Sequence, residues 1–346
     1  MRLNEKQSEL AVFSLVLLPV FIDFMFRRLS HTSLLCLVIL VSFIVIQRLL
    51  QDKTYINYMF LGLVVGIGIL SKYNYVLFLA AFGIVLFFDK ALRQVVFNKK
   101  ILFSVCIASL LLAPHVYWLL GPDGFLMELR ESIALKTERS SDTGLYVLSP
   151  LFSFVVTLLK LLAPLLAVLS VAYILKLVNF WKPELDWFTK FGMVQLLFLL
   201  LFFLVFHVQK VEERWLLPLL LPFMVLLMRT VEFKSVSKWS SHLFRLFLVV
   251  IALQVVRTPV EKALDIPSSV HFGFQPLTKI LNTSYANKQW VLPDVTYGGN
   301  IRILNLDKEI FSKDDFSLPS SKVNNTDGLE VIVGKENLRG RFPMEQ

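Results

Sequence analysis

The chain has 346 residues, of which 56% are hydrophobic and 31 are Phe, with a mean hydropathy of +0.66. That much apolar side chain excludes a soluble globular domain of this length and points to a polytopic membrane protein. The net charge of +9 does not call for nucleic acid as a partner, because basic loops facing anionic lipid account for it.

A helix needs about 20 apolar residues to cross the hydrocarbon core. In chain order, nine candidate spans are legible: 10–26, 33–50, 56–71, 74–88, 101–119, 150–177, 187–207, 214–230 and 241–257. The first is followed by Arg27-Arg28 and has no small-residue cleavage site, so it reads as a retained helix rather than a signal peptide. Ser71-Lys72-Tyr73-Asn74 parts the third from the fourth, and a tight turn at the surface is cheaper there than a Lys in mid-membrane. The sixth is long and holds Pro164, which predicts a tilt or kink. Cys36 and Cys106 fall inside apolar runs and read as small core residues. After residue 257 the composition turns polar. The expected organisation is an all-α transmembrane bundle over 1–257 and a small α/β tail over 258–346, with Gln289 to Val295, Ile301 to Leu306 and Leu329 to Val333 as strands and Gly298-Gly299-Asn300 as a turn.

Placing the N-terminus in the cytoplasm puts the richer set of Lys and Arg on the inside, as the positive-inside bias requires. An odd number of spans then leaves the tail outside. The same orientation gathers residues 27–31, 72–74, the 120–149 loop and 210–214 on the outer face.

Each of these clusters has a plain reading and a chemical one. Gly62, Gly66 and Gly68 fit close helix packing. Lys72 just beyond them either snorkels to the interface or binds phosphate as a point charge. Arg28 lies in a basic loop that the charge bias disfavours on this face, and His31 beside it is a hydrogen-bonding residue, a metal ligand or a general base. Pro114-His115-Val116-Tyr117-Trp118 is either an interfacial aromatic belt or a ring surface for a sugar or isoprenoid chain. The 120–149 loop is rich in both charges and reads as a solvated loop or a surface helix that gates the site. His207 to Pro218, with Lys210, Glu212, Glu213 and Arg214, is a charged cluster between two apolar runs, whose side chains must meet water or a charged ligand. No Walker A loop, dinucleotide fingerprint, zinc pattern or nucleophile elbow occurs. No cofactor is fixed by the residues, and a divalent metal ion is the one left open.

The order of these motifs resembles a known family. Gly62 to Tyr73, Gly-Leu-Val-Val-Gly-Ile-Gly-Ile-Leu-Ser-Lys-Tyr, resembles the glycine-rich helix ending in Ser-Lys-Tyr or Thr-Lys-Tyr of the GT-C membrane glycosyltransferases, and of glycosyltransferase family 39 with its bacterial aminoarabinose- and mannosyltransferase relatives in particular. Ala113 to Trp118 resembles the Pro-x-x-x-Trp closing a later helix. Glu213-Arg214-Trp215-Leu216-Leu217-Pro218 resembles the family's Arg-Tyr-Leu-Leu-Pro. Together these cover about residues 10–300.

The resemblance implies a GT-C-like bundle in the bacterial cell membrane. It implies a polyprenyl-phosphate sugar as donor and a lipid, glycan or protein outside the cytoplasm as acceptor. Arg28, Lys72, Tyr73, His115, Tyr117, Glu213 and Arg214 would bind substrate. The family takes its catalytic carboxylate from a loop after an earlier helix, which this sequence does not display, and it carries an Asp where this chain has Ser30-His31-Thr32. His31 is therefore the expected catalytic base, helped toward its neutral form by Arg27 and Arg28, and the chain alone is expected to transfer sugar slowly. The alternatives are a flippase for the same lipid, which needs charges deep in the spans, and a non-catalytic GT-C-fold subunit.

Overall fold

The computed structural model describes residues 5–26, 30–120, 149–182, 184–208, 210–264, 266, 272–293, 295–312 and 328–330. The chain divides into two compact units, 1–250 and 251–346.

The first unit is helical. Its elements are α1 (Glu5–Ser14), α2 (Pro19–Phe26), α3 (His31–Gln51), α4 (Tyr55–Ser71), α5 (Tyr75–Val85), α6 (Lys90–Val96), α7 (Ile101–Leu119), α8 (Ser149–Ile174), β1 (Val178–Phe180), α9 (Trp187–Val205), α10 (Glu213–Leu220), α11 (Phe223–Thr230), β2 (Val231–Phe233) and α12 (Val236–Ala263), whose last turns belong to the second unit. Among the described residues, α3, α7, α8, α9 and α12 are long and apolar enough to cross a membrane, and two bent pairs raise the total to seven. The chain is thus a multi-pass membrane protein, but nine continuous spans are not found among the described residues.

The differences have local causes. The first candidate breaks at Leu18–Pro19, where the chain bends by 85°; proline lacks the N–H that a continuing helix needs. The fourth stops at Val85 and turns by 119° into α6, which Asp89 caps by accepting from the backbone N–H of Ala91 and Leu92. The eighth splits at Leu221-Pro222 into two helices of eight residues each. The third is a 17-residue apolar helix.

The core explains why α3 is central. Phe43 lies edge-on to Phe78 of α5 and to Phe188 and Phe191 of α9, with centroids 5.1–5.4 Å apart. Such edge-to-face contacts add to the area each ring buries. On the other side α4 packs tightly on α7. A Cβ on Gly62 would stand 2.5 Å from the Ser104 carbonyl oxygen, and one on Gly66 would stand 2.8 Å from Leu111, so these two glycines let α4 and α7 approach closely, while Gly68 makes room for the Tyr75 ring. Ser104 Oγ donates to the Tyr58 carbonyl across the same seam at 2.6 Å.

Two helices end on left-handed residues. α8 ends with Lys176 at φ 57°, and α9 ends with His207 at φ 48°. At the second, Val208 N–H donates to Phe203 O and His207 N–H to Leu204 O. This is a Schellman stop, with His207 in the left-handed position glycine usually takes. At the start of α9, Asp186 accepts from the Thr189 backbone N–H at 3.0 Å and pairs with Arg229 at 3.0 Å. Burial would raise the carboxyl pKa, but Thr189 and Arg229 outweigh it and hold it below the usual aspartate range.

The second unit is a small α/β body. α13 (Phe274–Ser284) and α14 (Val295–Leu304) accompany a parallel sheet of β3 (Gln289–Leu292), β4 (Ile310–Ser312) and β5 (Gly328–Glu330), in the order β4-β3-β5. The α/β character and the strands at 289 and 329 match expectation. The run from Ile301 is instead the end of a helix, and Gly298-Gly299 lies inside it. Parallel neighbours need a crossover connection, and α14 supplies it. Gly298 sits where a Cβ would come within 3.0 Å of Ser312 Oγ, so glycine there permits close contact between helix and strand.

Candidate functional site

The site begins at the end of α4. Ser71 Oγ donates to the Gly68 carbonyl at 2.7 Å, and Lys72 caps the helix in an extended conformation. Its side chain leaves α4 and bridges two distant stretches of chain: Nζ donates to Thr32 Oγ1 and to the Arg214 carbonyl oxygen, each at 3.1 Å. Thr32 is fully buried in the first turn of α3, which Ser30 caps by accepting from the Thr32 N–H. His31 stands beside it, within the electrostatic reach of Lys72 and Arg214. Residues 31, 72 and 214 therefore gather at one end of the bundle.

Tyr73 extends this junction. Its hydroxyl shares a 2.8 Å hydrogen bond with His115 Nε2, and the His115 ring stacks on Trp118 at 5.8 Å. Tyr117 is 84% exposed and stands outside this chain of contacts. Arg28 and the 121–148 part of the charged loop lie outside the described residues.

The stretch after α9 forms an arm. With the helix stopped at His207, the chain runs back along α8, where the Val211 N–H donates to Ser153 Oγ at 2.8 Å and Thr157 Oγ1 donates to the Val211 carbonyl at 2.9 Å. Val211 is buried by this clamp. The arm then presents Lys210, Glu212, Glu213 and Arg214 to a cleft of about 840 Å³. Arg214 Nε pairs with Glu212, and Lys160 Nζ of α8 lies 4.0 Å from Glu213. The remaining wall is α2, which contributes Asp23.

The sequence reading missed Asp23 and Lys160 as members of this site. Their signal was a charge inside an apolar helix. Lys160 is eleven residues into α8, about 16 Å along the axis at 1.5 Å per residue. A lysine that deep costs about 2.5–3.5 kcal/mol when it faces lipid; here its side chain is 62% exposed and lines the cleft. Lys160, Lys210 and Arg214 stand among Asp23, Glu212 and Glu213, so the lining is balanced in charge. Among the described residues no three His, Cys, Asp or Glu side chains converge to hold a metal ion. The divalent cation left open by the sequence therefore has no donor set among them.

Residues 1–118 match the family of dolichyl-phosphate-mannose-protein mannosyltransferases, which is the resemblance carried by the Gly62–Tyr73 helix and the Pro114–Trp118 segment. The chain is also similar to two proteins of Rhizobium johnstonii. One is the lipopolysaccharide core galacturonosyltransferase RgtB, 23% identical over 256 residues, which are 72% of this chain and 51% of that protein. The other is the lipopolysaccharide core galacturonosyltransferase RgtA, 27% identical over 118 residues, 34% of this chain and 24% of that protein. The similarity thus spans about half the length of the first relative and less of the second. No solved structure matches the chain.

Proposed function

We propose that the chain is a membrane glycosyltransferase that moves a sugar from a polyprenyl-phosphate donor to a lipid, glycan or protein acceptor outside the cytoplasm, with a lipopolysaccharide core as the first acceptor to test. One observation carries the reading: Lys72 is bonded to Thr32 and to the backbone carbonyl of Arg214, and Arg214 lines a cleft with two further cations, Lys160 and Lys210. Phosphate binding needs convergent positive charge, and the departing lipid phosphate gains charge as the glycosidic bond breaks. Lys72, Arg214 and Lys160 suit that role. Tyr73 and His115 offer a polar edge and an aromatic face beside it. His31 stands with the cations, where its proposed role is a hydrogen bond to the phosphate side of the donor.

The test is donor choice. The protein in lipid nanodiscs is expected to transfer sugar to a lipopolysaccharide core glycan from a polyprenyl-phosphate galacturonic acid, and not from the nucleotide-linked sugar. Turnover with the nucleotide sugar, or no turnover with a panel of polyprenyl-phosphate sugars, would refute the reading.

The proposal also places the 258–346 tail and the cleft on the outer face, from the distribution of Lys and Arg. A phosphatase that folds only outside the cytoplasm, fused after Gln346, is expected to be active. Signal from a cytoplasmic reporter at the same position, with a silent phosphatase, would reverse the orientation.

The lipid-flippase alternative gains one observation: Asp23 and Lys160 bring charge into apolar helices along a cleft. It predicts movement of the lipid-linked sugar across a vesicle bilayer with no acceptor glycosylated.

A further inference from the structure

Resting on the transferase reading, we propose that Pro218 is a positioning residue that fixes Lys72 by leaving the Arg214 carbonyl without its helical donor. In an α-helix the carbonyl of residue 214 accepts from the N–H of residue 218. Pro218 stands inside α10, and proline has no N–H to give. Its ring also crowds the carbonyl four residues back and displaces that oxygen from the helical line. A backbone acceptor freed in this way needs another donor. Here the donor is a cation from the end of another helix. Lys72 Nζ meets the Arg214 oxygen at 3.1 Å, across 142 positions of sequence.

The second anchor of the ammonium is Thr32 Oγ1, also at 3.1 Å. A lysine is a point charge on a flexible four-carbon stem, which many rotamers would carry elsewhere. Two acceptors on two separate helices, α3 and α10, define one place for it. Fixing that place before the sugar donor arrives removes an ordering cost from the transfer step. Thr32 is held in the first turn of α3, which Ser30 caps. The Arg214 carbonyl is held by α10, whose residues 216–220 are buried. Pro218 is buried with them and is not among the described residues that line the cleft, so it acts through the Arg214 carbonyl and Lys72. The plain reading of a buried proline is packing, and an apolar residue of similar size would then serve as well.

The experiment isolates that one N–H in the full chain, embedded in nanodiscs, with polyprenyl-phosphate galacturonic acid as donor and a lipopolysaccharide core glycan as acceptor. Pro218→Val restores the N–H with a side chain of similar size. The α-hydroxy acid counterpart of valine, placed at the same position, keeps that side chain but puts an ester oxygen where the N–H would be. Pro218→Val is expected to lower turnover by about 10–10²-fold, the worth of one hydrogen bond to a charged group. The ester form is expected to regain most of that loss. In Lys72→Met chains the amide and ester forms are expected to turn over equally, because the residue they act through is gone. The melting temperature of Pro218→Val in detergent is expected to be no lower than that of the ester form, since the added N–H gives α10 one more helical bond. Pro218→Ala and its lactic acid counterpart repeat the comparison with a smaller side chain, in case the branched one does not fold. Equal turnover, or equal loss of fold, by amide and ester in the chain that keeps Lys72 would make Pro218 a packing residue and overturn the proposal. A difference of undiminished size in Lys72→Met would overturn it as well. An unaltered chain that neither binds the donor nor transfers from any polyprenyl-phosphate sugar would defeat the transferase reading itself, and the part of Pro218 in transfer with it.

Discussion

Replacing Lys72 with Met is expected to lower sugar transfer by about 10²–10³-fold, the usual loss when one charge-stabilising donor is removed from a transition state. The ammonium sits where α3, α4 and the start of α10 converge, bonded to Thr32 Oγ1 and to the Arg214 carbonyl. Removing it takes a positive charge from the proposed phosphate pocket and also unties Arg214 from α4. The structural loss is smaller: hydrogen bonds of this kind contribute about 0.5–1.5 kcal/mol each, or about 1.5–3 kcal/mol when one partner is charged. The Met side chain keeps much of the lysine's apolar length, so the bundle is expected to stay folded in detergent. Lys72→Arg keeps the charge, but its planar fork cannot reproduce two bonds from a single nitrogen, so partial activity is expected. Donor affinity measured by titration, beside the melting temperature, separates the two effects. Unchanged donor affinity and turnover in Lys72→Met would remove Lys72 from the site.

Replacing Gly62 with Leu is expected to have the largest effect on the fold. Its Cβ alone would lie 2.5 Å from the Ser104 carbonyl oxygen and 2.9 Å from Ile107 Cβ. The first of these is backbone and cannot move aside as a flexible side chain does. Overpacking a tight contact costs about 1–3 kcal/mol, occasionally more, and here relief comes only if α4 and α7 separate. Lys72 caps α4, and His115 lies near the end of α7, so separation also disperses the site. The internal control is Gly83, where a Cβ would meet nothing within 4 Å. Gly83→Ala is expected to be neutral or stabilising by up to about 1 kcal/mol, because alanine is the better helix former. Thermal unfolding in detergent decides the matter: a Gly62→Leu protein as stable as the unaltered chain would mean that α4 and α7 do not approach as described.

The legibility of this protein followed the range of the interactions involved. Apolar runs of membrane length are local, and the candidates at 33–50, 101–119, 150–177, 187–207 and 241–257 became α3, α7, α8, α9 and α12. The glycines were legible as close-packing positions, because small residues on a helix let a neighbour approach; that Gly62 and Gly66 admit α7 while Gly68 admits the Tyr75 ring was not. Lys72, His31 and Arg214 were legible as candidates because charge at the end of an apolar run has few places to go. Breaks were less legible. Pro19 and Pro222 each divide what hydropathy alone presents as one span, because a windowed average cannot register a single missing N–H. In the tail, Ile301 to Leu306 has strand-like composition, yet α14 takes in its start because two parallel strands need a helix between them.

The sequence by itself determined that this is a multi-pass membrane protein with a polar tail, and which charged residues had to be accounted for. The tertiary structure alone decided which of them meet. Lys72 and Thr32 are 40 positions apart and Lys72 and Arg214 are 142 apart, and no local pattern encodes such a pairing. Asp23 and Lys160 join the same cleft only because α2 is bent at Pro19 and the arm after His207 is clamped to Ser153 and Thr157. A charge within an apolar helix must avoid lipid. Whether it does so against water, a partner or a substrate depends on which helix lies beside it, and that is set by packing between segments far apart in the chain.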